Sequence, residues 1–119
     1  MKIGFDLIDY ERLKDDEKFL SRIANKNEID YIKKFKNFKE KIGALWAVKE
    51  AVIKALDLGG TGVSFLDIEL CHTETGKPFV RLFNKCSDRF IEIKGKEIEV
   101  SISHIKGLAG AVAIINTFE

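Results

Sequence analysis

The sequence predicts an α+β domain in which an antiparallel sheet packs against one long central helix. Three observations carry that expectation. Ile42, Leu45, Trp46, Ile53 and Leu56 recur at helical spacing between Asn37 and Leu56. Ile3, Phe5 and Leu7, and later Ile98, Val100 and Ile102, alternate with their neighbours at the period of a strand. Leu108 to Ile115 is continuously apolar, which predicts a strand buried on both faces.

The elements follow in order. The opening strand puts Asp6 on the face opposite Phe5. From Asp9 to about Ala24 the pattern is helical, with Leu13, Leu20, Ile23 and Ala24 on one side and Lys14, Lys18 and Arg22 as a cationic ridge away from it. A second helix is expected from Glu28 to about Phe35, capped by Asn27. The third runs to Leu56 and stops at Gly59-Gly60-Thr61-Gly62. Strands over Asp67–Thr73 and Pro78–Phe83 flank Glu74-Thr75-Gly76-Lys77, a hairpin connection with Gly76 at its tight position. A short helix is expected from Lys85 to Ile91. The last two strands join at Lys106-Gly107, giving a meander after the helices. No repeat or linker interrupts residues 1–119, which are read as a single domain.

Composition narrows the function classes. Twenty Lys and Arg against nineteen Asp and Glu leave a formal charge of +1, without the basic excess of a general nucleic-acid binder. Cys71 and Cys86 have no CxxC spacing, so zinc and redox motifs are unsupported and reduced thiols in a cytoplasm are expected. Asp6 comes too early for a secretory signal, and no apolar run approaches the ~20 residues of a membrane span. A soluble cytoplasmic protein is the expectation.

Within the long helix, Gly43, Ala47, Glu50 and Lys54 fall on one strip beside the apolar stripe. Two readings stand. The strip is a shallow groove for a ligand with its anionic part near Lys54, or Glu50 and Lys54 are a surface ion pair in the favourable i, i+4 order. Lys49 falls inside the apolar stripe, where a cation must be paired, snorkel outward or touch a ligand, snorkelling being the commonest of the three. Asp6 on a strand and Glu50 on a helix, with no His/Cys cluster, suit a hard, oxygen-preferring ion such as Mg²⁺, with substrate phosphates completing its shell. Ser101, Ser103 and His104 lack an acid to complete a hydrolytic triad.

Five segments in this order resemble the bacterial holo-acyl-carrier-protein synthases, the small 4′-phosphopantetheinyl transferases. They are Gly4-Phe5-Asp6-Leu7-Ile8 with Glu11-Arg12-Leu13; Trp46-Ala47-Val48-Lys49-Glu50-Ala51 with Lys54-Ala55; Gly60-Thr61-Gly62 with Phe65-Leu66-Asp67-Ile68-Glu69; Gly76-Lys77-Pro78; and Ser101-Ile102-Ser103-His104. The resemblance implies the phosphopantetheinyl transferase fold and transfer of 4′-phosphopantetheine from coenzyme A to a serine of apo-acyl carrier protein, in fatty acid biosynthesis, leaving adenosine 3′,5′-bisphosphate. It implies catalytic and Mg²⁺-binding roles for Asp6 and Glu50, with the serine proton passing to Glu50 or to a water at the metal. Lys54 matches a position near the phosphates. Thr75, Gly76 and Lys77 match the adenosine-nucleotide loop, and His104 a position at the nucleotide's phosphate end. It also implies a homotrimer with active sites between subunits. Arg12, Lys14, Lys18 and Arg22 become docking contacts for the acidic carrier protein, unless Asp15, Asp16 and Glu17 neutralise them as a solvated face.

Two departures from the family pattern bear on the nucleotide. Leu45 stands where relatives often have arginine, so that Lys36, Lys39 or Lys41 would have to supply the cation; Thr75 stands for a common asparagine. Two alternatives to the transferase remain at this stage. One is a non-catalytic module docking acidic proteins, which would not need Asp6 or Glu50. The other is a metal-dependent hydrolase of the coenzyme A pyrophosphate, which would need no carrier protein.

Overall fold

The long helix α3 (Phe38–Ala55) forms because its apolar residues keep a helical period over five turns, and it is the centre of the core. The computed structural model describes residues 1–118. Against α3 lies a three-stranded antiparallel sheet in the order β1 (Lys2–Asp9), β5 (Leu108–Thr117), β4 (Gly95–Ile105). Asp6 pairs with Ala111 across β1 and β5, and Ser101 with Val112 across β4 and β5. Strands β2 (Ile68–His72) and β3 (Pro78–Leu82) pair separately as a hairpin, so the expected continuous meander is divided into two sheets.

Close approach of β1 to α3 depends on glycine. A Cβ at Gly4 would stand 1.9 Å from the Ala51 carbonyl oxygen and 2.7 Å from the Ala55 nitrogen, both backbone atoms that cannot give way. Gly43 is filled in the same way: a Cβ there would meet Tyr10 Cβ at 2.6 Å. The groove expected along Gly43 and Ala47 is therefore closed, since both residues are buried under neighbouring elements.

The helices before α3 differ from the sequence reading. Asp9–Ala24 is not one helix. A 3-10 turn, Tyr10–Arg12, is followed by extended chain and then by α1 (Glu17–Ile23). The break has a local cause: the Asp9 side chain accepts from Glu11 N and the Asp16 side chain from Phe19 N, so each aspartate starts a new turn. Helix α2 (Lys26–Ile32) begins earlier than expected and is capped by Asn25, not Asn27. Asn25 Oδ1 accepts from Glu28 N while Glu28 Oε1 accepts from Asn25 N, a reciprocal capping box. Helix α4 (Asn84–Glu92) follows β3, close to its expected place.

Lys49 does not snorkel. It has no exposed surface, and its Nζ donates to Ile23 O at 2.6 Å, Glu28 Oε1 at 3.0 Å and Phe65 O at 3.0 Å. Burial pushes the ammonium's pKa down, and the Glu28 carboxylate opposes that shift. Glu28 Oε2 also accepts from Leu70 N at 2.8 Å. Removing one partner alone would strand a buried charge, a loss of about 3–5 kcal/mol.

Strand β5 is buried on one face only. Ala109, Ala111, Ala113 and Ile115 face α3, whereas Val112 and Ile114 on the other face are half-covered. Ile3, Phe5 and Leu7 flank them with about 60% of their surface exposed (61%, 59% and 59%). The expectation of two buried faces is not met within one chain, because no element among the described residues packs over that side.

Candidate active site

Strand parity and helix pitch bring Asp6, Glu50 and Lys54 together. Gly4 and Asp6 point to the α3 side of β1, and Glu50 and Lys54 stand one turn apart on α3. Lys54 Nζ donates to Phe5 O at 2.9 Å and to Asp6 Oδ1 at 3.2 Å, which leaves one of its three N–H bonds uncommitted. The ion pair that forms is thus with Asp6 rather than the expected one with Glu50.

Asp6 Oδ2 is buried and has no hydrogen-bond partner. Such an atom is costly unless something positive meets it. The pKa of Glu50 is raised, first by burial and then by the nearby Asp6 charge, with Lys54 acting the other way. Two partly desolvated carboxylates and one orphaned oxygen form a set of hard oxygen donors that a divalent cation would satisfy. Among the described residues no group of three or more His, Cys, Asp and Glu side chains could hold a metal. A cation here would draw its remaining ligands from water or substrate.

The residues expected at the nucleotide lie elsewhere. A cavity of about 370 Å³ is lined by Lys77, Pro78, Ser101 and His104, with Lys41, Leu45, Tyr31 and His72. Asp6, Glu50 and Lys54 are not among its lining residues. Gly76 sits at φ 89° in the hairpin turn, where a side chain would be strained. The Thr73 and Thr75 hydroxyls are 3.0 Å apart, and Lys77 N donates to Thr73 Oγ1 at 3.0 Å, so the loop is ordered by its own side chains. His104 Nδ1 is 3.4 Å from Glu40 Oε2, and Glu40 Oε1 accepts from Asn37 Nδ2 at 2.8 Å.

Sequence reading missed three features of this cavity. Glu40 beside His104 carried no signal beyond being an acid in a first helical turn. The stacked rings of Tyr31 and His72, 4.0 Å between centroids, pair residues far apart in the chain. Glu28 did carry a signal, the Asn-x-x-Glu spacing of a capping box, which the placement of the cap at Asn27 obscured. Of the lysines weighed as substitutes for an arginine at Leu45, Lys41 lines the cavity with Leu45, whereas Lys39 Nζ turns to Glu11 O at 3.3 Å.

The cations assigned to docking are exposed. Arg12 is 3.7 Å from Asp9. Lys18 and Arg22 lie on α1, while Lys14 precedes it and does not share their helical row. Two of the three interleaved acids are occupied otherwise: Asp16 caps α1, and Glu17 pairs with Lys33 at 3.1 Å. Among the described residues, none of Lys14, Lys18 and Arg22 has an ion-pair partner.

Fold and site together define a small α+β protein with a carboxylate pair and a separate cavity lined by Lys41, Lys77 and His104 together with Glu28 and Glu40. The family described as the 4′-phosphopantetheinyl transferase superfamily matches residues 2–113. A holo-[acyl-carrier-protein] synthase of Caldicellulosiruptor bescii is 42% identical over 115 residues, covering 94% of each chain. The Helicobacter pylori holo-[acyl-carrier-protein] synthase, solved in complex with coenzyme A, superposes with a TM-score of 0.82 at 31% identity, covering 96% of this chain and 99% of that one. A Bacillus anthracis holo-(acyl-carrier-protein) synthase, solved with CoA (3′,5′-ADP), gives 0.78 at 32% identity over 98% and 96% of the two chains. This chain belongs to the holo-[acyl-carrier-protein] synthases.

Proposed function

We propose that this protein transfers 4′-phosphopantetheine from coenzyme A to a serine hydroxyl of apo-acyl carrier protein, releasing adenosine 3′,5′-bisphosphate. The observation that carries the reading is the buried, unpartnered Asp6 Oδ2 beside the perturbed Glu50 carboxylate. Asp6 and Glu50 would hold the divalent cation, Mg²⁺, which when bound supplies charge neutralisation for the pyrophosphate and the leaving bisphosphate. Lys54 offers its uncommitted N–H to a phosphate oxygen while its other bonds fix Asp6 and the β1 backbone. Thr75, Gly76 and Lys77 hold the nucleotide end and His104 its phosphate. Lys41 stands in for the absent arginine at Leu45. Arg12, Lys14, Lys18 and Arg22 dock the acidic carrier protein.

The working unit is a homotrimer of this single domain, with active sites between subunits. Two observations support it. Ile3, Phe5, Leu7 and Ile105 leave an apolar sheet face uncovered, and covering the remaining surface of such side chains is worth about 1–2 kcal/mol each. The cavity that holds Lys77 and His104 does not include the carboxylates of the same chain, and His104 also borders the groove on the uncovered face. Among the described residues no helix is long and apolar enough to cross a membrane; the cytoplasm is the proposed compartment.

Intact-mass spectrometry tests the transfer. Apo-carrier protein incubated with the protein, coenzyme A and Mg²⁺ is expected to gain the mass of one phosphopantetheine, and EDTA is expected to abolish the gain. Coenzyme A consumed without carrier protein would favour a pyrophosphate hydrolase. Binding without a mass gain, insensitive to Glu50→Ala, would favour a docking module.

A further inference from the structure

Glu50 and Lys49 are neighbours in sequence but serve different sides of α3. Glu50 faces β1, whereas Lys49, ~100° around the helix, is enclosed among α1, α2 and the 3-10 turn Phe65–Asp67. The backbone acceptor nearest its Nζ is the carbonyl of Ile23, the last residue of α1. That carbonyl belongs to the group that a helix leaves without an internal donor. The carboxylate acceptor, Glu28, simultaneously caps α2 and accepts from Leu70 N of β2. Four elements therefore converge on one ammonium carried by α3.

Helix α1 has seven residues, too few to hold itself in place. Its buried Leu20 and Ile23 supply contact without direction, and its Glu17–Lys33 pair is exposed and weak. The hydrogen bonds at Lys49 do have direction. They fix the end of α1 next to Arg22, in the row that bears the docking cations.

We infer that the Lys49–Glu28 pair is the joint that holds α1 at a set position relative to Glu50, making Lys49 a positioning residue for carrier-protein recognition with no contact to the nucleotide. The inference rests on the reading of Arg22 and its neighbours as carrier-docking groups. It explains why a charge is retained at the centre of an apolar stripe, where a methionine would pack without desolvation cost.

Steady-state transfer by the full chain, with carrier protein and coenzyme A varied separately, tests it. Lys49→Met combined with Glu28→Gln replaces the pair by neutral groups of similar size. The expected result is a carrier-protein KM raised about 10- to 100-fold, the scale of an ångström-level misplacement, with coenzyme A affinity by calorimetry within about twofold. Arg22→Glu should raise the same KM in the parent and add little to the pair variant, because the contact is already lost. Arg22→Glu without effect in the parent would remove the docking reading and the inference with it. An effective Arg22→Glu beside an unchanged carrier KM in a folded pair variant would overturn the inference alone. Should the pair variant not fold, amide exchange of the unaltered protein decides. Leu20 and Ala24 amides opening only with α3 support the joint, and their opening independently of α3 contradicts it.

Discussion

At the scale of single residues, the proposed chemistry is concentrated in Asp6, Glu50 and Lys54. Replacing Asp6 by Asn or Glu50 by Gln removes one charged oxygen donor where the neighbour has no protein substitute. Transfer is expected to fall by about 100-fold or more, as when one preorganised electrostatic contact is lost, while the circular dichroism spectrum stays unchanged. The raised pKa of Glu50 gives a second prediction with a definite sign. Between the unfolded value and the higher folded value the native state binds more protons, so without a metal its contribution to stability falls as pH rises through that window. Glu50→Gln is therefore expected to raise the melting temperature of the metal-free protein near neutral pH, with the difference closing in acid; a lowered neutral Tm would contradict it. The convergence of Asp6 and Glu50 was legible in the sequence because strand parity put Asp6 opposite Phe5 and the helix pitch set Glu50 beside the apolar stripe. The partner of Lys54 was not, since local spacing favoured Glu50 and only the packing of β1 on α3 brings Asp6 nearer.

At the scale of elements, the packing of β1 on α3 decides where Asp6 lies. Gly4→Ala would push a methyl group into backbone atoms of Ala51 and Ala55. Overpacking of that kind costs about 1–3 kcal/mol, or more where the clash is with backbone, and urea denaturation should show the loss together with reduced transfer. The β2–β3 hairpin, α3 and the last two strands were legible because period and turn residues agree there. The first helices were not. Leu13, Leu20 and Ile23 satisfied a helical pattern through Lys14-Asp15-Asp16, but Asp9 and Asp16 each cap a separate turn and local hydrogen bonding prevails over periodicity. Which outcome Lys49 takes was not legible for a related cause. Its buried acid comes from the first turn of another helix, a long-range pairing that periodicity cannot register.

At the scale of the whole molecule, one face of the three-stranded sheet is left largely uncovered by the described residues. A single chain leaves Phe5, Leu7 and Ile105 largely in solvent, which is unfavourable for an isolated monomer and expected of a subunit. Sedimentation equilibrium is predicted to give three times the chain mass, and Leu7→Arg to give monomers that keep their fold and lose transfer. A monomeric parent with full activity would contradict the shared-site account. The proposed trimer would also account for the separation of Lys77 and His104 from Asp6 and Glu50: if each site uses two chains, one chain holds two halves of different sites.

The central claim is that the carboxylate pair exists to hold a divalent cation with substrate. Electron paramagnetic resonance of Mn²⁺, titrated into the protein with coenzyme A present, tests it without depending on turnover. The account predicts a bound-Mn²⁺ signal of one ion per chain, displaced by Mg²⁺ and lost in both Asp6→Asn and Glu50→Gln. Undiminished Mn²⁺ binding in either variant would contradict it.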